Sequence, residues 1–344
     1  MNTALLSFMK CGGYLCIIML QRTRRKELVL ITGVHGFLGQ HVVRLFLDES
    51  KCDLVLTARE EATLFADAAD LPRIHAYHQM DATNRIRVRE VVQSVKPDVI
   101  VNCAGFRNVD RAEHERELAW KTNVSAVEYL AESARKVDAR IVHVSTDYVF
   151  DGTKVPYAEG DVPHPLNYYG RTKLASENAL KTSGVPHTII RTSLMYGSSE
   201  SLDTNEALII AQKLERKETI ELATDLCASP TLVNDVALAL VRATERSKFG
   251  VYHVAAHEML SRYEFGLRVA QAFGLDTSLI TGKLNAEIVY PVARAERPMK
   301  SALVSLKAQT DLGLRLSNVD EGLQVTVRGI QEISGEDFDQ HIYE

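Results

Sequence analysis

Cysteine is scarce in this chain and poorly placed for its usual structural jobs. The five residues, Cys11, Cys16, Cys52, Cys103 and Cys227, are odd in number and scattered over 344 positions. That pattern argues against a disulfide framework, and no pair has zinc-ligand spacing with histidines nearby, so no metal site is expected. A reducing compartment is the simpler setting, and the expected location is cytoplasmic. Excess positive charge is also lacking. Forty Lys and Arg against 45 Asp and Glu leave a net charge of −5, which gives no support to nucleic-acid binding. No apolar run comfortably reaches the ~20 residues that span a bilayer. The nearest, Ala4 to Leu20, is interrupted by Lys10 and Gly12-Gly13 and followed by Arg22, Arg24, Arg25 and Lys26. With its positive cluster after the apolar part, it is not a convincing secretory signal. Residues 1–26 are therefore expected to be an N-terminal extension, disordered or upstream of a true start at Met19, and membrane attachment is not expected. No low-complexity linker or internal repeat divides the rest.

What is present is an ordinary globular composition, 46% hydrophobic and 25% charged, long enough to bury a substantial core. Its first organised segment is a glycine turn between two patterned elements. Leu28-Val-Leu-Ile31 is a short apolar run, as a buried parallel strand requires. Thr32-Gly-Val-His-Gly-Phe-Leu-Gly39 follows, then Gln40 to Leu47 with apolar residues at helical spacing. Gly33 allows a tight turn, Gly36 lets a pyrophosphate approach the backbone, and Gly39 lets helix pack on strand. Phe37 and Leu38 supply turn backbone, and the helix N-terminus favours phosphate.

Strand and helix patterns then alternate. Strands are expected at Asp53–Ala58, Ile74–Gln79, Val99–Ala104, Arg140–Ser145 and His187–Arg191, with helices at Arg85–Val95, Trp120–Lys136 and Tyr169–Lys181. This rhythm predicts an α/β fold, a doubly wound parallel sheet of Rossmann type. After Arg191 the rhythm changes. Helices are expected at Asn205–Lys217, Asn234–Glu245 and Arg262–Phe273, and a strand at Gly250–Ala255. The expected organisation is an NAD(P)-binding domain over 27–192 and a smaller C-terminal substrate lobe over 193–344, with about 218–256 returning to the sheet.

Tyr169 and Lys173 stand four residues apart, on one face of the last helix of the first half. A lysine so placed favours the phenolate and lowers the tyrosine pKa. That pairing suits a proton donor to a carbonyl under reduction.

The G-x-x-G-x-x-G spacing with Tyr-x-x-x-Lys resembles the extended short-chain dehydrogenase/reductase family, over Glu27 to about Leu316. Several segments are similar to its dTDP-4-dehydrorhamnose reductase branch: Pro97-Asp-Val-Ile-Val-Asn-Cys-Ala104, Asn108-Val-Asp-Arg-Ala-Glu113, Ser145-Thr-Asp-Tyr-Val-Phe-Asp-Gly152 and Pro165 to Glu177. Ser229-Pro-Thr231 and Ala293-Arg-Ala-Glu-Arg-Pro298 agree.

The resemblance implies that Tyr169 is the proton donor. It implies that Lys173 lowers the tyrosine pKa and binds the nicotinamide ribose, and that Thr146 donates to the substrate carbonyl. It gives Asn123 a supporting role at the central helix, beside the cofactor, and Asp81 an adenine contact, a helix cap being the alternative for Asp81. Ala104 and Gly105 are the small residues passed closely by the cofactor. Val109, Asp110 and Glu113 line the sugar site. Asp147 either helps hold the sugar or is a turn carboxylate. At the end of the second strand, where NAD readers place an acid, Arg59 suits a 2′-phosphate. NADPH is the expected cofactor and NADH the alternative, with Glu60 and Glu61 close by and a plain loop arginine the other reading of Arg59. Arg297 is a candidate for a pyrophosphate contact. Where the branch reads Arg-Thr-Ser-Trp-x-Tyr, this chain has Arg191-Thr-Ser-Leu-Met-Tyr196, so Leu194 replaces an aromatic of the sugar pocket.

The expected function is NADPH-dependent reduction of a nucleotide-linked 4-keto deoxysugar, foremost dTDP-4-dehydro-L-rhamnose. The expected partner is that small molecule, and a homodimer is compatible with the sequence. The alternative is a non-catalytic NADP-binding regulatory subunit, because the methionine adenosyltransferase beta subunit carries similar motifs.

Overall fold

The structure, a computed structural model, describes residues 7–11, 14–18, 26–61, 73–200, 205–290 and 293–334. Seven parallel strands form its central sheet: β1 (Leu28–Thr32), β2 (Asp53–Ala58), β3 (Ile74–Gln79), β4 (Val99–Asn102), β5 (Arg140–Thr146), β6 (His187–Thr192) and β7 (Gly250–Val254). Their spatial order is β7-β6-β5-β4-β1-β2-β3, so the chain reverses direction across the sheet between β1 and β4. That reversal opens a crevice at the carboxyl ends of the strands.

The apolar runs that mark these strands are buried on both faces. Val29 and Ile31 belong to one core and Leu30 to the other, and the same split separates Val99 and Val101 from Ile100. The first core is covered by α1 (Phe37–Glu49) and α6 (Val233–Arg246), the second by α2 (Arg85–Val95) and α3 (Ala126–Val137). Each fully buried aliphatic side chain contributes about 1.5–3 kcal/mol.

Helix starts follow capping residues. Asn84 accepts from Arg87 N ahead of α2, and Asn167 accepts from Gly170 N ahead of α4 (Tyr168–Thr182). Asn205 caps α5 (Glu206–Glu215), and Ser261 with Glu264 forms a capping box at α7 (Arg262–Ala272). The single helix expected over Trp120–Lys136 is broken up. A short helix, Arg116–Trp120, runs into a π-helical turn, Lys121–Ser125, before α3 begins.

The second half builds its lobe from short pieces. Ile220–Ala223 pairs with Ile280–Lys283, and Cys227–Ala228 lies between Leu260–Ser261 and Lys300–Ser301. Thr231–Leu232 pairs with Met195–Tyr196. A third core forms here around Tyr196, Leu214, Phe265 and Leu323, the last from α8 (Val319–Ser334). Within 218–256 only α6 and β7 join the dinucleotide-binding layers; Ile220–Ala223 stays in the lobe. In the N-terminal extension, Ser7–Cys11 pairs antiparallel with Tyr14–Ile18. The rest of 1–25 lies outside the described residues. No described helix is long and apolar enough to cross a membrane.

Candidate active site

The glycine turn is fixed by close approaches. Gly33 has φ +68°, and a Cβ there would stand 2.8 Å from Ala104 Cα. A Cβ on Gly39 would stand 2.1 Å from the Gly33 carbonyl oxygen, so α1 packs on β1 only because that position is glycine. Gly36 is the N-cap of α1 with no side-chain cap, and its own amide donates to the Gly33 carbonyl at 2.9 Å. The first amides of α1 therefore lack a side-chain acceptor, which suits a phosphate there.

A cleft of two adjoining lobes, about 520 and 510 Å³, lies over the strand ends. Both volumes lie in the range of small-molecule sites. His35, Gly36, Ala104 and Gly105 line both lobes. The first also takes in Gly33, Arg59, Glu60 and Asp81. Arg59 is exposed and pairs with Glu60 at 3.1 Å. Asp81 Oδ1 accepts from the Thr83 amide and hydroxyl, both at 2.8 Å. Asn84, not Asp81, caps α2.

The second lobe brings together Phe37, Leu38, Val109, Thr146, Asp147, Tyr169, Lys173 and Leu194. Tyr169 lies in the first turn of α4. A Cβ on the neighbouring Gly170 would be 2.2 Å from the Tyr148 carbonyl oxygen. Glycine at that position lets the helix start close against the turn after β5, which carries Thr146.

The electrostatics differ from the sequence expectation. Burial pushes the Tyr169 hydroxyl well above its ordinary range, outweighing the opposite effect of a hydrogen bond with Thr146; Asp147 and Tyr148 add to the rise. Lys173 does not offset this. Its Nζ donates to the Val144 carbonyl at 2.6 Å, and burial brings its own pKa down to about 8 against the pull of Glu177. The phenol is thus held protonated.

Asp147 is 3% exposed and receives hydroxyls from Thr146 (3.0 Å), Ser193 (2.7 Å) and Ser301. Burial raises its pKa against those bonds. It joins β5, the segment after β6 and the lobe, which fits the turn-carboxylate alternative.

Besides Gly39, four expected residues stand outside the cleft lining. Asn123 is buried, exchanges hydrogen bonds with Phe106 N (2.8 Å) and O (3.1 Å), and donates to Thr172 Oγ1 at 2.9 Å. It therefore ties the loop after β4 to α4 rather than facing the cleft. Asp110 and Arg297 close on each other through two hydrogen bonds of 2.8 Å; Asp110 also accepts from Ala295 N. Glu113 accepts the Tyr168 amide at 2.7 Å. Asp110 and Glu113 thus clasp segments together, and the bidentate Asp110–Arg297 pair leaves few groups for a ligand. Among the described residues no group of three or more His, Cys, Asp or Glu could hold a metal ion.

The sequence reading missed Gly170 and Arg262. Gly170 had a signal, a glycine inside a helical motif, which marks close approach. Arg262, which lines the second lobe from the start of α7, had none, since nothing in spacing brings residue 262 to residue 169.

The switch-point crevice, the glycine turn and the Tyr169–Lys173 face define an extended short-chain dehydrogenase/reductase, a class of NAD(P)-dependent oxidoreductases. Within it, the chain belongs to the family described as RmlD substrate binding domain, whose profile matches residues 27–331. It is similar to the dTDP-4-dehydrorhamnose reductase of Aggregatibacter actinomycetemcomitans, 32% identical over 86% of this chain and 97% of that one. It is also similar to methionine adenosyltransferase 2 subunit beta of Xenopus laevis, 35% identical over 77% of this chain and 78% of that one. Among solved structures, the dTDP-4-dehydrorhamnose reductase of Bacillus anthracis in complex with NADP superposes with a TM-score of 0.75 at 28% identity, covering 88% of this chain and 99% of that one.

Proposed function

We propose that the protein is an NADPH-dependent reductase of a nucleotide-linked 4-keto deoxysugar, with dTDP-4-dehydro-L-rhamnose, giving dTDP-L-rhamnose, as the foremost substrate. The observation that carries this reading is the meeting of Thr146, Tyr169 and Lys173 in one lobe beside the glycine turn. When bound, NADPH supplies the hydride for the sugar carbonyl carbon.

Gly33, Gly36, Phe37 and Leu38 would hold the pyrophosphate, with Gly39 seating α1 behind them. Ala104 and Gly105 would leave room beside it. Arg59 would meet the 2′-phosphate and Asp81 the adenosine. Thr146, whose hydroxyl otherwise donates to Asp147, would turn it to the carbonyl oxygen, where negative charge develops. Tyr169 delivers the proton to that oxygen. A phenol kept neutral by burial keeps its proton until an alkoxide, a stronger base than a phenolate, forms beside it. Lys173 binds the ribose and keeps a positive charge near the phenol. Val109 and Leu194 wall the sugar, and an aliphatic Leu194 gives a pocket unlike one built on tryptophan.

A purified Tyr169→Phe protein tests this directly. It should bind NADPH nearly as the native protein does and lose turnover; unchanged turnover would remove the assignment.

A second reading is kept because of the 35% identity to a methionine adenosyltransferase beta subunit. In it the chain is a regulatory subunit whose cofactor site serves assembly. Stable co-purification with a partner enzyme, with no NADPH oxidation across a panel of nucleotide 4-keto sugars, would favour that reading.

A further inference from the structure

The second lobe carries basic side chains of which the function above uses only Lys173. Four basic side chains line it: His35, Arg107, Lys173 and Arg262. His35 and Arg107 also line the first lobe, so they stand where the two lobes meet. Lys173 is committed to the Val144 carbonyl beside Tyr169. Arg262 stands with Leu194, Met195 and Ala228 in the lining of the second lobe alone.

The Arg262 side chain is 11% exposed, and Glu206, at 2.9 Å from Nη1, is the acid in ion-pair range among the described residues. That contact lacks hydrogen-bond geometry, and Nη1 is buried without a hydrogen-bond partner. A desolvated guanidinium held this way is under-satisfied, and its fork of N–H groups matches a phosphate. Arg297 presents the opposite case. Its guanidinium is used by Asp110, the Ala295 carbonyl and Tyr148.

We infer that Arg262 is the anchor for the diphosphate of a nucleoside-diphosphate-linked substrate, and that Arg297 is a structural clasp. The inference rests on the nucleotide-sugar reading and adds the residue that fixes the substrate's anionic part. Glu206 tunes the anchor, because its carboxylate competes with phosphate for the same guanidinium.

The test is calorimetric titration of dTDP and of UDP into full-length protein saturated with NADP. The native protein, Arg262→Gln, Arg262→Lys and Glu206→Gln are compared. Arg262→Gln should weaken nucleoside-diphosphate binding by at least about tenfold, as loss of a charge-assisted contact implies. Arg262→Lys should fall between it and the native protein. Glu206→Gln should bind more tightly, a gain that damage to the fold does not produce. NADP affinity, measured on each variant, should stay level and shows that each is folded. Native-like nucleoside-diphosphate affinity in Arg262→Gln would overturn the inference. So would a native protein that binds neither probe; in that case NADPH oxidation with a keto sugar decides separately whether the reductase reading survives.

Discussion

A proton donor to a nascent alkoxide works from its neutral form, and burial keeps Tyr169 in that form. Removing only its hydroxyl, in Tyr169→Phe, should lower kcat by about 10²- to 10⁴-fold with little change in the NADPH dissociation constant. In the proposed reaction Lys173 sets the pH limit. Its folded pKa is brought down to about 8 from its ordinary 10.5, so the ammonium is present below that value and is lost as pH rises through it. The kcat/KM profile should therefore decline above about pH 8, and Lys173→Arg should move the decline upward. An alkaline limb that stays put in that variant would mean another group sets it. That Tyr169 and Lys173 lie on one helix and line one lobe was legible from a four-residue spacing. The balance of their pKa values was not, because burial, which dominates both, depends on strands far away in sequence.

The helix that carries both residues is held from three sides. Asn123 reaches Thr172, His143 Nε2 lies 3.0 Å from Ser176 Oγ, and Ser145 donates to Glu177 at 2.7 Å. Arg191, on β6, meets Glu177 through bonds of 2.8 and 2.6 Å with both side chains almost fully buried. Removing one member of such a pair strands the other charge in the core. Glu177→Ala should cost about 3–5 kcal/mol in urea unfolding, and a cost under 1 kcal/mol would contradict a tightly held α4. At the opposite element, Gly39→Ala forces α1 away from β1, since its Cβ would meet the Gly33 carbonyl. NADPH affinity should fall in that variant together with stability.

Strand and helix positions in the first half were legible because parallel strands buried on both faces are written as unbroken apolar runs. The π-turn at Lys121–Ser125 was not, because it accompanies the inward bonding of Asn123 to Phe106 and Thr172, contacts that no periodicity encodes.

At the scale of the whole molecule, a sheet legible from sequence carries a lobe whose helices were legible and whose strands were not. Its strands are two to four residues long, too short for a period-2 pattern, and they pair across large separations, as Cys227–Ala228 does with Lys300–Ser301. Asp147 links sheet and lobe through Ser193 and Ser301. The cofactor should stabilise this assembly by mass action, by about 2.7 kcal/mol at a hundredfold excess over its dissociation constant. The midpoint of thermal unfolding should rise with NADP concentration in the native protein and much less in Gly39→Ala. The measurement that bears most directly on the central claim is NADPH oxidation by the purified native protein and Tyr169→Phe with dTDP-4-dehydro-L-rhamnose and related nucleotide 4-keto sugars. Turnover by the native protein, lost in Tyr169→Phe while NADPH still binds, is the predicted result. An inert native protein that binds NADPH, or a Tyr169→Phe variant as active as the native one, would contradict it.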